Sequence, residues 1–357
     1  MKLKNKIIAI NGESWCRNLT GIERLAIEVT CALDKLVKPG QIELVLPANA
    51  QNIPELKNIA IVKLPQEAHF MPKWTQIYFQ RYVLKNHRYS LNYSNTAPCF
   101  CPGFEFIHDI YAKLYPQDLK SRRDKLIHFY STWMYRVIAR RAKEIFTVSE
   151  YTKKTITDTY KTPADKIHVV YSGVSGYKDI KEDNSVFDKL PVLKNKVFYF
   201  SLGSLSTRKN LKWIASHAEL YPDELFAVSG KPLPTAVAPE LEKLNHLSNV
   251  IMTGYLSDGQ VKALLQKAKA FIMPSYFEGF GLPPLEALSC GCPIIISDKT
   301  SLPEIYGECA HYIDPDNPDL NLNDLLSESV KSPEEILKKY TLENTAKRMW
   351  EVLQKYV

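Results

Sequence analysis

The sequence predicts an α/β protein built from two doubly wound domains with mainly parallel sheets. Three observations carry that reading. Short apolar runs alternate with amphipathic stretches along the chain. The alternation runs through twice, with a charged, polar gap at 176–187 between the two series. The two series also differ in charge: residues 1–180 hold 27 Lys and Arg against 16 Asp and Glu, and residues 181–357 hold 19 against 23. A length of 357 residues suits two domains, and 11% aromatic residues is too many for an extended disordered chain. The chain therefore divides into a basic domain over 1–180, a second domain over 181–338 and a helix over 339–357. That last helix carries Trp350 and is expected to pack back on the first domain.

In the first series, strands are predicted at 6–10, 42–46, 60–64, 104–108, 144–148 and 167–171, with helices at 22–36 and 122–141. The opening run, KIIAI, stops at Asn11-Gly12-Glu13; it is too short for a signal peptide and reads as a first strand. In the second series, strands are predicted at 197–202, 225–229, 249–252, 270–273, 293–296 and 311–313, with helices at 210–219, 258–268 and 283–290. Each domain should offer a crevice at the C-terminal ends of its strands. No apolar run reaches the roughly 18 residues that span a bilayer, so a cytoplasmic protein is expected. Seven cysteines, an odd number, read as free thiols. Cys99 and Cys101, and Cys290 and Cys292, lack the two-residue spacing of zinc knuckles. No RNA-recognition, zinc-finger or helix-turn-helix signature is present, so nucleic acid is not expected as a partner.

The densest chemistry lies at 270–298. A buried strand ends at Pro274-Ser275, and Gly279 and Gly281 make a tight loop. Pro283 and Pro284 suit the first turn of a helix that Gly291 closes. A strand that leads through a Gly loop into a helix N-terminus binds phosphate, because unpaired N–H groups and the helix dipole point at the anion. Glu278 and Glu286 bracket the loop. A second constellation lies at 197–211: a strand, Gly203, a polar loop, then Arg208-Lys209 and a helix that Asn210 could cap. Two cations at a strand-to-helix crossing can neutralise a diphosphate. No Walker sequence occurs, and no Gly-x-Gly-x-x-Gly follows the first strand.

Glu278 and Glu286, with EGFGLPPLEAL between and around them, form a Glu-x7-Glu motif. With SCGCPIIISD and SLPEI after it, and Arg208-Lys209-Asn210 some seventy residues before it, the segment resembles retaining glycosyltransferase family 4, whose fold is GT-B. TGIERLAIE (20–28), FIHDI (106–110), FTVSEYTKK (146–154) and the approach to the motif at 254–275 extend the resemblance over about residues 6–316. The resemblance implies two Rossmann-like domains facing a central cleft: an acceptor-binding first domain, and a second domain that takes a nucleotide-sugar. Arg208 and Lys209 match the basic pair on the donor diphosphate, and Glu286 matches the glutamate on the nucleotide ribose. Glu278 matches the glutamate beside the transferred sugar. Phe280, Gly281 and Leu282 match the loop whose N–H groups face sugar and phosphate. From the first domain, Gly21 matches the loop that closes over the diphosphate. His108 matches a cleft histidine that could donate a hydrogen bond to sugar or acceptor, and Ser149-Glu150 starts a helix there. Ser204 stands where some members carry an arginine.

The implied activity is a retaining hexosyl transfer (mannose, rhamnose, glucose or similar) from a UDP-, GDP- or dTDP-sugar. The implied acceptor is a saccharide, expected to be a lipid-linked glycan of a bacterial surface polysaccharide. No metal or other cofactor is expected, because Lys, Arg and helix N–H groups can hold the charge that builds on the leaving diphosphate. The one Asp-x-Asp match, Asp314-Pro-Asp316, reads as a turn. An attack by a carboxylate on the back face and a front-face route both remain open from the residues. Two other readings are a nucleotide-sugar epimerase or phosphorylase of the same fold, and a non-catalytic partner subunit. The stretches 73–89 and 120–143 mix Lys and Arg with Trp, Tyr and Phe; they suit either an anionic membrane surface or packing on the first sheet.

Overall fold

The computed structural model describes residues 6–17, 21–174, 179–232 and 237–357, and the chain divides into two compact units. Thr20 of the 20–28 segment and residues 176–178 of the polar gap lie outside the described residues.

The first unit draws on Met1–Leu114, Ile127–Gly173 and Tyr340–Val357. Its seven strands are β1 (Ile8–Asn11), β2 (Ile42–Leu46), β3 (Ala60–Lys63), β4 (Tyr89–Asn92), β5 (Phe104–Phe106), β6 (Glu144–Thr147) and β7 (Ile167–Val169). They pair in parallel in the order β3-β2-β1-β4-β5-β6-β7. Parallel strands covered on both faces need apolar runs, as Leu44–Leu46 of β2 supplies, and the buried Glu43 beside them is bonded by Tyr82 and Arg88. The helices are α1 (Gly21–Asp34), α2 (Arg122–Arg141, of which the part from Ile127 belongs to this unit) and α3 (Glu150–Tyr160). Helix α1 buries Leu25, Ala26, Val29 and Leu33 against Ile8, Ile10 and Leu44.

The second unit draws on Tyr115–Leu126 and Val174–Lys339. Its six strands are β8 (Tyr199–Leu202), β9 (Phe226–Ser229), β10 (Val250–Gly254), β11 (Ala270–Met273), β12 (Ile294–Ser297) and β13 (His311–Ile313), parallel in the order β10-β9-β8-β11-β12-β13. The helices that place the site are α4 (Leu211–Leu220), α5 (Asp258–Lys267) and α6 (Leu282–Ser289). A capping box between Ser257 and Gln260 starts α5. The C-terminal helix α7 (Leu342–Leu353) starts at Thr341, whose side chain accepts from the Asn344 N–H. It buries Leu342, Ala346, Met349 and Leu353 in the same core as α1, within the first unit.

Two features differ from the sequence reading. Strand β4 was not expected, because Tyr-Ser-Leu-Asn has no apolar run. Its Ser90 and Asn92 lie inside and bond the carboxyl of Glu105 on the neighbouring strand at 2.7 and 2.5 Å. Partnered polar side chains here hold positions that the sequence reading reserves for apolar ones. The domain limits differ as well. The first continuous stretch closes at Gly173, not 180, and Tyr115–Leu126 belongs to the second unit. That segment is held by packing of Tyr115 on Phe277 (centroids 5.4 Å) and a hydrogen bond from Tyr276 to Asp118.

Candidate functional site

In each sheet the strand order reverses at one place, and a ligand crevice belongs outside the carboxyl ends of the strands there. In the second unit that place lies between β8 and β11. Arg208 and Lys209 follow β8 on a single 3₁₀ turn, and Glu278 follows β11. The Lys209 ammonium meets Glu278 Oε1 at 2.7 Å, and an Arg208 guanidinium nitrogen lies 3.7 Å from Oε2. Glu278 is only 4% exposed. Burial alone would raise its pKa, but the charges of Lys209 and Arg208 and the Lys209 hydrogen bond outweigh it and hold the carboxyl below its usual range. The pair of cations and the carboxylate together keep one net positive charge at the switch point.

Local folding fixes this triad. Asn210 was expected to cap α4 with its side chain, and it does not. It sits in the left-handed region (φ 53°, ψ 49°) just before α4, without a capping bond. Its amide instead donates to the carbonyls of Pro274 (3.1 Å) and Pro315 (2.8 Å) and so ties the exit of β8 to the exit of β11. The Tyr276 N–H adds a bond to the Arg208 carbonyl at 3.1 Å. The Glu278 backbone is held on both sides, by Thr300 Oγ1 at 3.1 Å and Ser301 Oγ at 3.0 Å.

Gly281 precedes α6 with φ +84°, and a Cβ there would stand 2.7 Å from Leu302 Cδ2. The glycine lets the chain turn from the Phe280 loop straight into α6, with Leu282 and the two prolines in its first turn. Phe280 and Gly281 are buried; Leu282 and Glu286 are half-buried on α6. Gly230 ends β9 with φ +151°, and a Cβ there would lie 1.8 Å from the Gly203 carbonyl oxygen, so the ends of β8 and β9 close together only with glycine.

The first unit has its own switch point, between β1 and β4. A buried polar network that the sequence reading missed occupies it. Asn11 Nδ2 donates to Asn92 Oδ1 (2.8 Å), and Trp74 Nε1 donates to Asn11 Oδ1 (2.7 Å). Glu13 accepts from Ser94 (2.5 Å) and Thr75 (2.7 Å). Through Asn92 the network reaches Glu105, whose carboxyl burial pushes up to about 8 against the hydrogen bonds of Ser90, Gly103 and Asn92. The polar run after the first strand, Asn11-Gly12-Glu13, was the available signal, and the sequence reading took it only as the end of a strand.

His108 follows β5, half-buried, with its ring stacked on Phe106 (5.2 Å, 21°). Its Nε2 lies 2.5 Å from the Tyr93 carbonyl. A carbonyl only accepts, so Nε2 carries the proton and Nδ1 of the neutral ring is an acceptor. Burial lowers the His108 pKa against the raising effect of the Tyr93 carbonyl and of Asp109 and Glu23, so a second ring proton is disfavoured. The expectation that His108 donates to the sugar is corrected accordingly: its remaining nitrogen accepts. Gly21 is exposed and is the first residue of α1; residues 18–20 before it lie outside the described residues. Ser149 is buried and caps α3 through Thr152 N–H, a structural role. Among the described residues no three His, Cys, Asp or Glu side chains gather as a metal-binding group.

Residues 19–175 match the family model described as Glycosyltransferase Family 4, and residues 182–345 match that of Glycosyl transferases group 1. The chain is similar to the serotype-specific mannosyltransferase WbdA of Escherichia coli, 34% identical over 185 residues that make up 47% of this chain and 22% of that protein. It is also similar to the O-antigen chain mannosyltransferase B of Escherichia coli, 32% identical over 190 residues, 50% of this chain and 49% of that one. The chain thus spans from about a fifth to about half of these relatives. Its fold matches WaaG, a glycosyltransferase involved in lipopolysaccharide biosynthesis, with a TM-score of 0.65 at 16% identity, over 96% of this chain and 95% of that one.

Proposed function

We propose that this chain, which belongs to the family 4 glycosyltransferases, moves a hexosyl unit with retention from a nucleoside-diphosphate sugar to a saccharide acceptor in bacterial surface polysaccharide synthesis. The observation that carries this is the ion-paired triad of Arg208, Lys209 and Glu278 at the second switch point, beside a Gly loop that opens a helix. The relatives named as mannosyltransferases favour mannose as the sugar, and the O-antigen chain in one of those names favours a surface polysaccharide as the acceptor, which this reading takes to be lipid-linked. A nucleotide-sugar donor suits the cytoplasm.

In this reading Arg208 and Lys209 take the diphosphate, and the N–H groups of Phe280, Gly281 and Leu282 face sugar and phosphate. Charge builds on the leaving diphosphate as the sugar–phosphate bond breaks. The two cations and the N-terminus of α6 hold that charge, and no metal is required. Glu286 holds the ribose. Glu278 keeps both cations oriented and stands beside the sugar. A carboxylate tied to two cations is a poor nucleophile, which favours a front-face route in which the leaving phosphate helps remove the acceptor proton. From the first unit, Gly21 at the start of α1 is assigned to the diphosphate, and His108 accepts a hydrogen bond from a sugar hydroxyl.

Calorimetry with UDP, GDP and dTDP in EDTA, then with magnesium, tests the donor site. One nucleotide is expected to bind in EDTA, with little change on adding magnesium. Binding of none, or binding only with magnesium, overturns the assignment.

A further inference from the structure

The structure sorts the aromatic and basic stretches of the first unit into two faces. Trp74, Phe79, Val83, Met134 and Tyr135 are buried. Ile77, Leu84, Phe100, Phe129 and Trp133 are not: Ile77 is 51% exposed, Phe129 71% and Phe100 73%. An exposed group of large apolar side chains on an otherwise well-packed unit marks a surface that meets something.

Ile77, Phe100 and Trp133 meet around one half-buried junction. Gln76 donates to the Ala97 carbonyl (2.7 Å) and to Tyr130 Oη (3.4 Å), and it accepts from the Cys99 N–H (3.1 Å). Ile77 adjoins Gln76, Phe100 adjoins Cys99, and Trp133 packs on Tyr130 (centroids 6.2 Å). On the helical segment through 85, Arg81, Leu84 and Lys85 share a face with Ile77 around an open hollow of about 570 Å³. Farther along α2, Phe129, Trp133, Arg136 and Arg140 fall at helical spacing and are all exposed.

The charge is one-sided. Residues 68–104 and 127–143 together hold eight Lys and Arg and no Asp or Glu; Glu105, just past the first stretch, is buried in β5. We propose that this patch docks the first unit on an anionic phospholipid surface, with Ile77, Phe100 and Trp133 entering the headgroup boundary and Arg81, Lys85, Arg136 and Arg140 meeting lipid phosphates. Apolar tips ringed by cations complement such a surface, where each nearby cation strengthens binding about fivefold. The docking turn also reaches inward: Thr75, two residues before Ile77, bonds Glu13 at the first switch point. A lipid-linked acceptor would thus meet the polar end of β1 from the surface that holds the lipid; this last point, unlike the docking itself, rests on the proposed function.

The test is sedimentation with phosphatidylcholine vesicles, and with vesicles containing one-third phosphatidylglycerol, at low and at 0.5 M salt. The full chain is expected to sediment only with the anionic vesicles and to be released by salt. R81E/K85E should weaken binding at least tenfold, and Ile77→Ser with Phe100→Ser should do the same. All four positions are exposed, and unchanged circular dichroism and nucleotide binding verify folding. No sedimentation of the full chain overturns the proposal. So does loss in the charge variant alone, which means an electrostatic film without insertion, or conversion of a dimer to a monomer by the serine variant, which means the patch meets a second copy. Vesicle binding needs no nucleotide, so a failed donor site leaves this outcome readable by itself.

Discussion

Lys209→Ala is expected to lower the stability of the second unit by about 3 kcal/mol and to weaken nucleotide-diphosphate binding tenfold to a hundredfold. The stability loss follows from burial. Glu278 would keep its charge with only Arg208, 3.7 Å away, as its cationic partner. Removing one partner from a buried pair strands the other. In a unit of this size the loss corresponds to about 6–12 °C in melting temperature. The binding loss follows from the missing charge-assisted bond to the diphosphate. The two effects separate in the double variant. Adding Glu278→Gln removes the stranded charge and should restore at least 1 kcal/mol of stability, while nucleotide affinity stays low. Thermal unfolding and calorimetry on the four proteins decide it. Equal stability of Lys209→Ala and the parent, or recovery of nucleotide affinity in the double variant, contradicts the assigned roles. The sign with pH is fixed as well. Glu278 has a depressed folded pKa, so the pair's contribution is present above the usual carboxylate range and is lost as pH falls through the folded pKa.

Glu105→Gln is expected to flatten the dependence of first-unit stability on pH. Burial raises the Glu105 pKa from 4.5 to about 8. The folded state therefore holds a proton that the unfolded chain releases. The stability this contributes is full below about pH 4.5 and is lost as pH rises through 8, in total about 4–5 kcal/mol. The proton has a path of partners: Ser90 Oγ stands 2.7 Å from Oε1 and itself reaches the Cys101 carbonyl at 3.1 Å. A glutamine cannot titrate, and its amide would meet the Gly103 N–H that now donates to Oε1 at 2.8 Å. The variant should therefore be weaker than the parent at pH 5 and should overtake it by pH 9. Urea unfolding at pH 5, 7 and 9 measures the difference directly. Parallel pH profiles for parent and variant would mean that Glu105 is ionised throughout.

The legible parts of this protein are those written locally. Twelve of its strands are short apolar runs, and α6 announces itself through Gly281 before it and two prolines inside it. Arg208 and Lys209 stood out as two cations at a strand-to-helix crossing, and Glu278 and Glu286 as two carboxylates bracketing one Gly loop. What could not be read depends on distant chain segments. Strand β4 looks like a polar turn until the Glu105 carboxyl is seen beside Ser90 and Asn92. The Lys209–Glu278 pair joins residues 69 apart, so its short distance is a property of the strand order and not of spacing. His108 was singled out by the resemblance of FIHDI, yet which way its ring donates follows from a carbonyl fifteen residues back. The tie of Asn210 to Pro315 belongs to the same class.

Helix α7 closes the core of the first unit only after the whole of Val174–Lys339 has intervened. On a ribosome those intervening residues take about 10–30 s to make. Throughout that interval the apolar face of α1 that α7 covers waits without it. The sheet that precedes the second unit in the chain is therefore finished after it, and until α7 is made the nascent first unit carries an incomplete apolar core.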